Sequence, residues 1–235
     1  MKQLFRNSIL SCFILSSVLV SAQDSSRVEP HSMPSLKKVS SMQDNLILGI
    51  GLANWSSVPA PIKTETFQSR EFSVMMMAER MTSSGIFGMG FGLGFSSQNV
   101  HHNSLIGVAY NSQATEFYKI QGNTDYSINK LSLNFIDAQL ELRLHTKPNQ
   151  KQKRFKLSAG LKAGILLQSH TKYKDGTGTY KSSGVSNLNK YQYGITSRLG
   201  YGNWAIGGYY SLLGIFKNDK GPDLVPYSMS LYLTL

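Results

Sequence analysis

The chain has 235 residues, a formal net charge of +11, 41% hydrophobic residues and only 16% charged ones. That length fits one all-β domain or two small ones, and a mean hydropathy of −0.19 excludes a bundle of membrane helices. It suits a transmembrane β-barrel, in which half of every strand faces a polar interior, while the basic balance alone selects neither nucleic acid nor membrane.

Residues 1–22 read as a secretory signal peptide. Lys2 and Arg6 form a basic start, Ile9–Val20 an apolar stretch, and Val20-Ser21-Ala22 a small-residue cleavage site that leaves Gln23 first. A lipoprotein reading would cut before Cys12, after Ile9-Leu10-Ser11, with almost no apolar segment ahead of it. Cys12 is the single cysteine, so the expected mature chain has no disulfide. Residues 23–43 are polar and without periodicity, which predicts a periplasmic linker. The barrel is expected over 44–235.

From Asp44 onward apolar residues recur at every second position, the period of a strand with two unlike faces. Asn45–Trp55 sets Leu46, Leu48, Ile50 and Leu52 against Gly49, Gly51 and Ala53. Glu71–Met81 sets Phe72, Val74, Met76 and Ala78 against Glu71, Ser73, Met75, Met77 and Glu79. In Ile86–Ser97, Phe87, Met89, Phe91, Leu93 and Phe95 alternate with glycines and Ser96, leaving room for large side chains from across a narrow lumen. Lys130–His145 changes phase: Leu131, Leu133 and Phe135 are odd, whereas Ala138, Leu140, Leu142 and Leu144 are even. Either a bulge falls near Ile136, or the first part projects beyond the membrane.

Arg154–Gln168 is the longest clean alternation, with lysines and glycines on its polar face. Lys190–Gly200, Asn203–Leu212 and Tyr227–Leu235 complete eight strands, each near or above the roughly 9–11 residues that a tilted strand needs to cross a bilayer. The connections alternate long and short, as in outer-membrane barrels. Ser56–Gln68, Gln98–Asn129, Thr171–Asn189 and Leu213–Pro226 are the long ones. The prediction is an all-β, antiparallel, up-and-down transmembrane barrel of eight strands with both ends on the periplasmic side. Leu105–Tyr110 and Thr115–Ile120 form a hairpin above the membrane, or, if both cross, make ten strands. Trp55, Tyr191, Tyr201, Trp204 and Tyr227 suit interfacial aromatic girdles, with loop packing as the other reading for Trp55.

An eight-stranded barrel is just wide enough for side chains to fill it. The polar faces supply charges of both signs: Glu71, Glu79, Asp137, Glu141, Arg143, Lys156, Lys162, Lys190 and Arg198. Unpaired, they would be costly inside a narrow tube. The candidate site is therefore a lumen ion-pair network of Glu79, Asp137, Glu141, Arg143, Lys156, Lys162 and Arg198, a plug rather than a path. If Leu144 pairs with Phe155, Asp137 lies directly opposite Lys162.

Other chemistry is weak. His101-His102 with Ser104 offers a base and a hydroxyl but no spacing that assembles a nucleophile with an orienting acid, and no further ligands cluster for a metal. Asp175-Gly176-Thr177-Gly178-Thr179 is a turn, since no helix follows to hold a phosphate. Lys147, Lys151, Lys153 and Arg154 form a basic periplasmic turn. Lys172, Lys174, Lys181, Lys217 and Lys220 lie where they could meet lipopolysaccharide.

The segment Asn134–Arg143 (NFIDAQLELR), a turn, and then FKLSAGLKAGILLQ resemble the PorT-like outer-membrane β-barrel family, in which a "YLEIPLLL"-type strand precedes a glycine-bearing one. NKYQYGITSRLGYGNWAIGGYYSLLGIFK and the alternating C-terminus fit too, so the resemblance covers roughly 44–235. It departs at Ala138-Gln139, where Ile-Pro is common, and at Leu235, where an aromatic is usual. The resemblance implies a Gram-negative envelope barrel without enzymatic residues. The expectation is an outer-membrane protein with a structural, envelope-assembly or interaction role, and no enzyme, catalytic residue, cofactor or metal. Its partners would be outer-membrane lipid and lipopolysaccharide, the barrel-insertion machinery and envelope or secretion-system proteins, with no nucleic acid. The alternatives are a lipid-modifying enzyme and a small-solute channel.

Overall fold

The computed structural model describes residues 43–122 and 125–235; the leader at 1–22 and the linker, up to its last residue Gln43, lie outside the described residues. Eleven strands occur: β1 (Gln43–Ser56), β2 (Arg70–Met81), β3 (Phe87–His101), β4 (Ser104–Val108), β5 (Thr115–Lys119), β6 (Tyr126–His145), β7 (Phe155–Asp175), β8 (Thr179–Ser183), β9 (Tyr191–Tyr201), β10 (Trp204–Ser211) and β11 (Val225–Thr234). Eight of them, β1, β2, β3, β6, β7, β9, β10 and β11, each pair antiparallel with the next. β11 returns to β1 with Ile47 opposite Thr234, closing the barrel. Closure leaves no unpaired edge among these eight strands, the condition for a sheet to cross hydrocarbon.

The outward face is apolar. Ile50, Met76, Leu161 and Met229 are 62%, 70%, 60% and 65% exposed, an arrangement that suits lipid and not water. Tyr191, Tyr201, Trp204 and Tyr227 also point outward, whereas Trp55 is buried by loop packing. One end carries short turns. Gly85 and Gly202 sit there at φ of 68° and 63°, and Gly202 opens the two-residue hairpin between Tyr201 and Trp204, a position that requires positive φ.

The other end carries the long connections, and these are structured. β4 and β5 form their own two-stranded sheet, so the hairpin predicted within 98–129 adds nothing to the barrel. β6 and β7 outrun the apolar belt, and β8 returns along the edge of β7 from Lys174↔Thr179 to His170↔Ser183. Asp175 caps that turn, its Oδ1 accepting from the Thr177 amide at 2.9 Å and the Gly178 amide at 3.1 Å.

The phase change in β6 has a different cause from a bulge at Ile136. β6 keeps one register with β3 from Phe87↔Leu144 to His101↔Lys130. The irregularity lies on β7, where Asn134↔Gln168 is followed by Phe135↔Leu166, leaving Leu167 as the extra residue. Leu131, Leu133 and Phe135 all face inward and are buried. What changes along β6 is the chemistry of the interior.

Candidate functional site

Alternation decides which side chains enter the lumen, and register decides which of them meet. At the short-turn end Arg143 of β6 is ion-paired with Glu79 of β2 and lies 3.0 Å from Glu141 Oε2. Arg198 of β9 donates to the same Glu141 Oε2 at 2.5 Å. His145 Nδ1 stands 3.7 Å from Glu79 Oε1.

These strands are not all neighbours: β3 separates β2 from β6, and β7 separates β6 from β9. Contact across the gap depends on small residues in the strand between. Gly90 of β3 stands opposite both Glu79 and Glu141, and a Cβ there would come within 2.8 Å of Arg143 Nε. On β7, Gly160 stands opposite Glu141, and Ser158 stands opposite both Arg143 and Arg198. The β3 glycines thus admit Arg143 and the β2 methionines Met75, Met77 and Met81 from the adjacent strands. They do not serve residues from across the lumen, as the sequence had suggested.

Midway up, Lys162 Nζ lies 3.9 Å from Glu71 Oε1, 3.8 Å from Asp137 Oδ2 and 3.8 Å above the centre of the Tyr209 ring. Asp137 also accepts from Ser96 Oγ at 2.5 Å and Gln192 Nε2 at 2.7 Å, and Ser230 Oγ donates to Glu71 at 2.8 Å. Lys162 and Asp137 are not directly opposite. Leu144 pairs with Leu157 instead of Phe155, which sets Lys162 against Gln139 and Asp137 against Gly164, so the contact is diagonal. Lys156 lines the short-turn mouth with Glu79, Arg143, His145 and Arg198, but makes no ion pair within 4.0 Å among the described residues. Lys190 is exposed ahead of β9 and stands outside the cluster.

Among the described residues four inward cations, Arg143, Lys156, Lys162 and Arg198, face four inward carboxylates, Glu71, Glu79, Asp137 and Glu141. This balance matters more than any single pair. Buried ion pairs gain little on forming, but losing one partner strands a charge in a poor solvent for it. The spaces left over are small, about 50 Å³ at the mouth and about 30 Å³ beside Lys162, enough for a few waters. Gln139, His145, Gln192, Tyr209 and Tyr232 also belong to this layer. Each holds an inward position by strand parity, which is the signal that could have found them.

Above Asp137 the interior turns apolar. Ala53, Trp55, Val100, Leu131, Leu133, Phe135, Leu188, Ile215, Phe216 and Leu224 form one buried cluster. The β4–β5 hairpin folds over it. Phe117 packs edge-on against Trp55 at 6.2 Å and Phe216 at 6.0 Å between ring centres. Thr115 fastens the hairpin to the neighbouring loops, its amide donating to Lys220 O at 2.8 Å and its hydroxyl to Ser186 O at 3.0 Å.

His102 lies in this cover, outside the spanning segments, with its ring 5.6 Å from Trp55 and 5.5 Å from Phe117. Burial pushes its pKa down to about 4, against a smaller opposing effect of its bond with the Ser104 backbone. Its Nδ1 faces the Ser104 amide at 3.4 Å, while Ser104 Oγ lies 3.0 Å from Asn103 Oδ1. The hydroxyl is thus engaged by Asn103, and the imidazole works as packing in the aromatic cover.

Residues 22–219 match the family model described as an outer membrane protein beta-barrel domain. No curated protein matches. Among solved structures the chain is similar to Ail, the attachment invasion locus protein of Yersinia pestis, crystallised with the heparin analogue sucrose octasulfate. Identity is 9% and the TM-score 0.33, over 82% of this chain and 98% of that one. A structure titled "Asymmetric conductivity of engineered proteins" aligns at 9% identity and a TM-score of 0.21, over 83% of this chain and 100% of that one. Likenesses this distant carry no argument about binding or conduction.

Proposed function

The chain belongs to the outer membrane protein beta-barrel domain family, and from that premise we propose that it is a closed, non-enzymatic wall protein with a structural, assembly or interaction role. One observation carries this reading: the lumen is filled twice, by a charge-balanced ionic layer and by an apolar layer under a folded hairpin. The spaces beside the ionic residues are only about 50 and about 30 Å³, the larger opening of about 500 Å³ lies among the loops at Pro59–Ile62 and Ala114–Phe117, and an eight-stranded barrel has no spare width. Work at this protein's surface then falls to the long-loop end and the outward sheet face. The matching strand pair around Asn134–Arg143 and Phe155–Gln168 supports a place among PorT-like barrels. Envelope or secretion-system proteins and lipopolysaccharide are the partners of that reading, with the barrel-insertion machinery as the transient one. Export through the signal peptide at 1–22 predicts a mature N-terminus at Gln23, which mass analysis of purified protein checks; a lipid-modified Cys12 would replace it.

Two measurements test the closed-wall reading. Proteoliposomes should not swell in small sugars faster than protein-free vesicles, and faster swelling would make this a solute channel. Lipid-modifying activity on outer-membrane lipid should be absent; activity that disappears in His102→Ala and Ser104→Ala while the barrel stays folded would make it an enzyme.

A further inference from the structure

The outward sheet face above the apolar belt carries an unusual alignment. Lys130 of β6 stands directly opposite Lys172 of β7, and Lys172 directly opposite Lys181 of β8. His101 of β3 continues the row on the other side of Lys130. One step nearer the membrane runs a second row: Arg70, Asn99, Ser132, His170 and Ser183. Both rows share the parity of Phe87–Phe95 on β3 and Ile136–Leu144 on β6, so they lie on the face that meets lipid lower down.

Directly opposed side chains on antiparallel strands have Cβ atoms about 4.5–5.5 Å apart, and like charges in that relation are destabilising. Three lysines in a line are therefore a cost to the free sheet. Among the described residues no ion pair joins any of them to a carboxylate. Asp175, three residues beyond Lys172, is held by Thr177 and Gly178, and Glu65 sits beside His101 at the end of the row. Lys130 is also fixed in place, with Nζ donating to Asn99 Oδ1 at 2.8 Å while Ser132 Oγ donates to the same oxygen at 2.7 Å. Burial lowers the Lys130 and His170 pKa values first, and the neighbouring lysines lower them further. The three lysines are thus a positive row with no ion-paired carboxylate among the described residues.

Its height identifies the anion. Leu167 is the last apolar outward residue of β7, and five residues of tilted strand lift Lys172 about 12 Å above it. Lysine stems can reach back from there toward the headgroups. Ammonium groups aligned at that level match phosphate.

We propose that the Lys130–Lys172–Lys181 row is a docking site for the phosphate groups of outer-leaflet lipid. This rests on the reading that the long-loop end faces outward. It gives the lipid partner a specific place on the barrel and makes that place a fixed feature of the sheet.

The test uses the full-length barrel in phosphatidylcholine vesicles, with and without lipid A carrying two phosphates. The midpoint of heat-modified gel migration should rise with diphosphorylated lipid A and stay unchanged with dephosphorylated lipid A. In the combined variant Lys130→Gln, Lys172→Gln, Lys181→Gln, the mole fraction of lipid A needed for half the rise should increase at least about tenfold. Lys147→Gln, Lys151→Gln, Lys153→Gln, with the same charge removed at the short-turn end, should keep the wild-type response. Equal responses in wild type and the Lys130 variant would overturn the proposal, as would equal losses in both variants, which would make net charge the cause. A rise of the same size with inorganic phosphate in neutral vesicles would make it a soluble-anion site and also overturn lipid docking. If the triple variant does not fold, Lys181→Gln alone, on the exposed edge strand, must still shift the half-point in the same direction. Labelling of Thr177→Cys by a membrane-impermeant maleimide in intact cells checks the outward orientation separately, and no labelling would sink that orientation whatever the lipid result.

Discussion

On the inner face of β6, the residues from Asp137 toward the short turn are Gln139, Glu141, Arg143 and His145; in the other direction they are Phe135, Leu133 and Leu131. The same strand, with the same backbone pairing to β3, thus helps fill one tube in two ways. The lower layer is ionic, and its paired side chains neutralise or hydrogen-bond one another, several of them across a glycine or serine. The upper layer is apolar and owes its closure to loops that bring Trp55, Phe117, Leu188 and Phe216 over the strand ends. Each kind of filling suits its own level of the barrel. Facing lipid, the wall has no other polar surface to offer, so polarity is held inside. Beyond the lipid, the outer face of the sheet can be wet, so the interior can be greasy as in a soluble protein.

That contrast should show in variants. Arg143→Ala should be the most damaging, since it strands Glu79 and weakens the hold on Glu141. A loss of about 3–5 kcal/mol is expected from breaking a buried pair, read as a lowered urea midpoint of the folded gel band. Phe135→Ala should cost a comparable or slightly smaller amount, within about 3–5 kcal/mol, but should chiefly open the loops. Protease should then cut 98–125 while the barrel band survives.

Acid should separate the layers next. His102 is neutral when folded, with its pKa at about 4. Its unfolded form binds a proton near 6.5. The unfolded state therefore holds more protons between those values, and stability falls as pH drops through that window, by about 3 kcal/mol at pH 4. Loop protection in His102→Phe should lose this part of the acid sensitivity, and an unchanged pH profile would remove His102 from the account. Leu161→Arg on the lipid face should cost about 2–4 kcal/mol near the bilayer midplane and leave both layers intact. The smallest effect is the Asp137–Lys162 coupling. Their diagonal contact should give about 0.5–3 kcal/mol in a double-mutant cycle, and zero coupling would dissolve the upper half of the ionic layer.

All eight spanning strands were legible from alternation because lipid and lumen differ so sharply in polarity. Legibility failed where that difference disappeared. Leu131, Leu133 and Phe135 looked out of phase because the interior there is as apolar as the lipid. β8 went unseen because Thr179–Ser183 is polar and exposed on both faces, which leaves no period to read. The Asp137–Lys162 opposition was placed two residues off because the turn at 146–154 is too long for its residues to dictate a register. Trp55 is ambiguous because a tryptophan at a strand end suits a girdle and a loop core equally, and only its packing against His102 and Phe117 decides between them. Parity is enough to place Gln139, Gln192 and Tyr209 inside, but not to give their partners, since each reaches across an intervening strand.

Single-channel recording in planar bilayers tests the doubly filled lumen most directly. Wild-type protein should give no unit current steps. Glu79→Ala, Arg143→Ala, Arg198→Ala in one chain should also stay silent wherever it folds, because the apolar layer remains as the second seal. Regular current steps from the wild type would contradict the account.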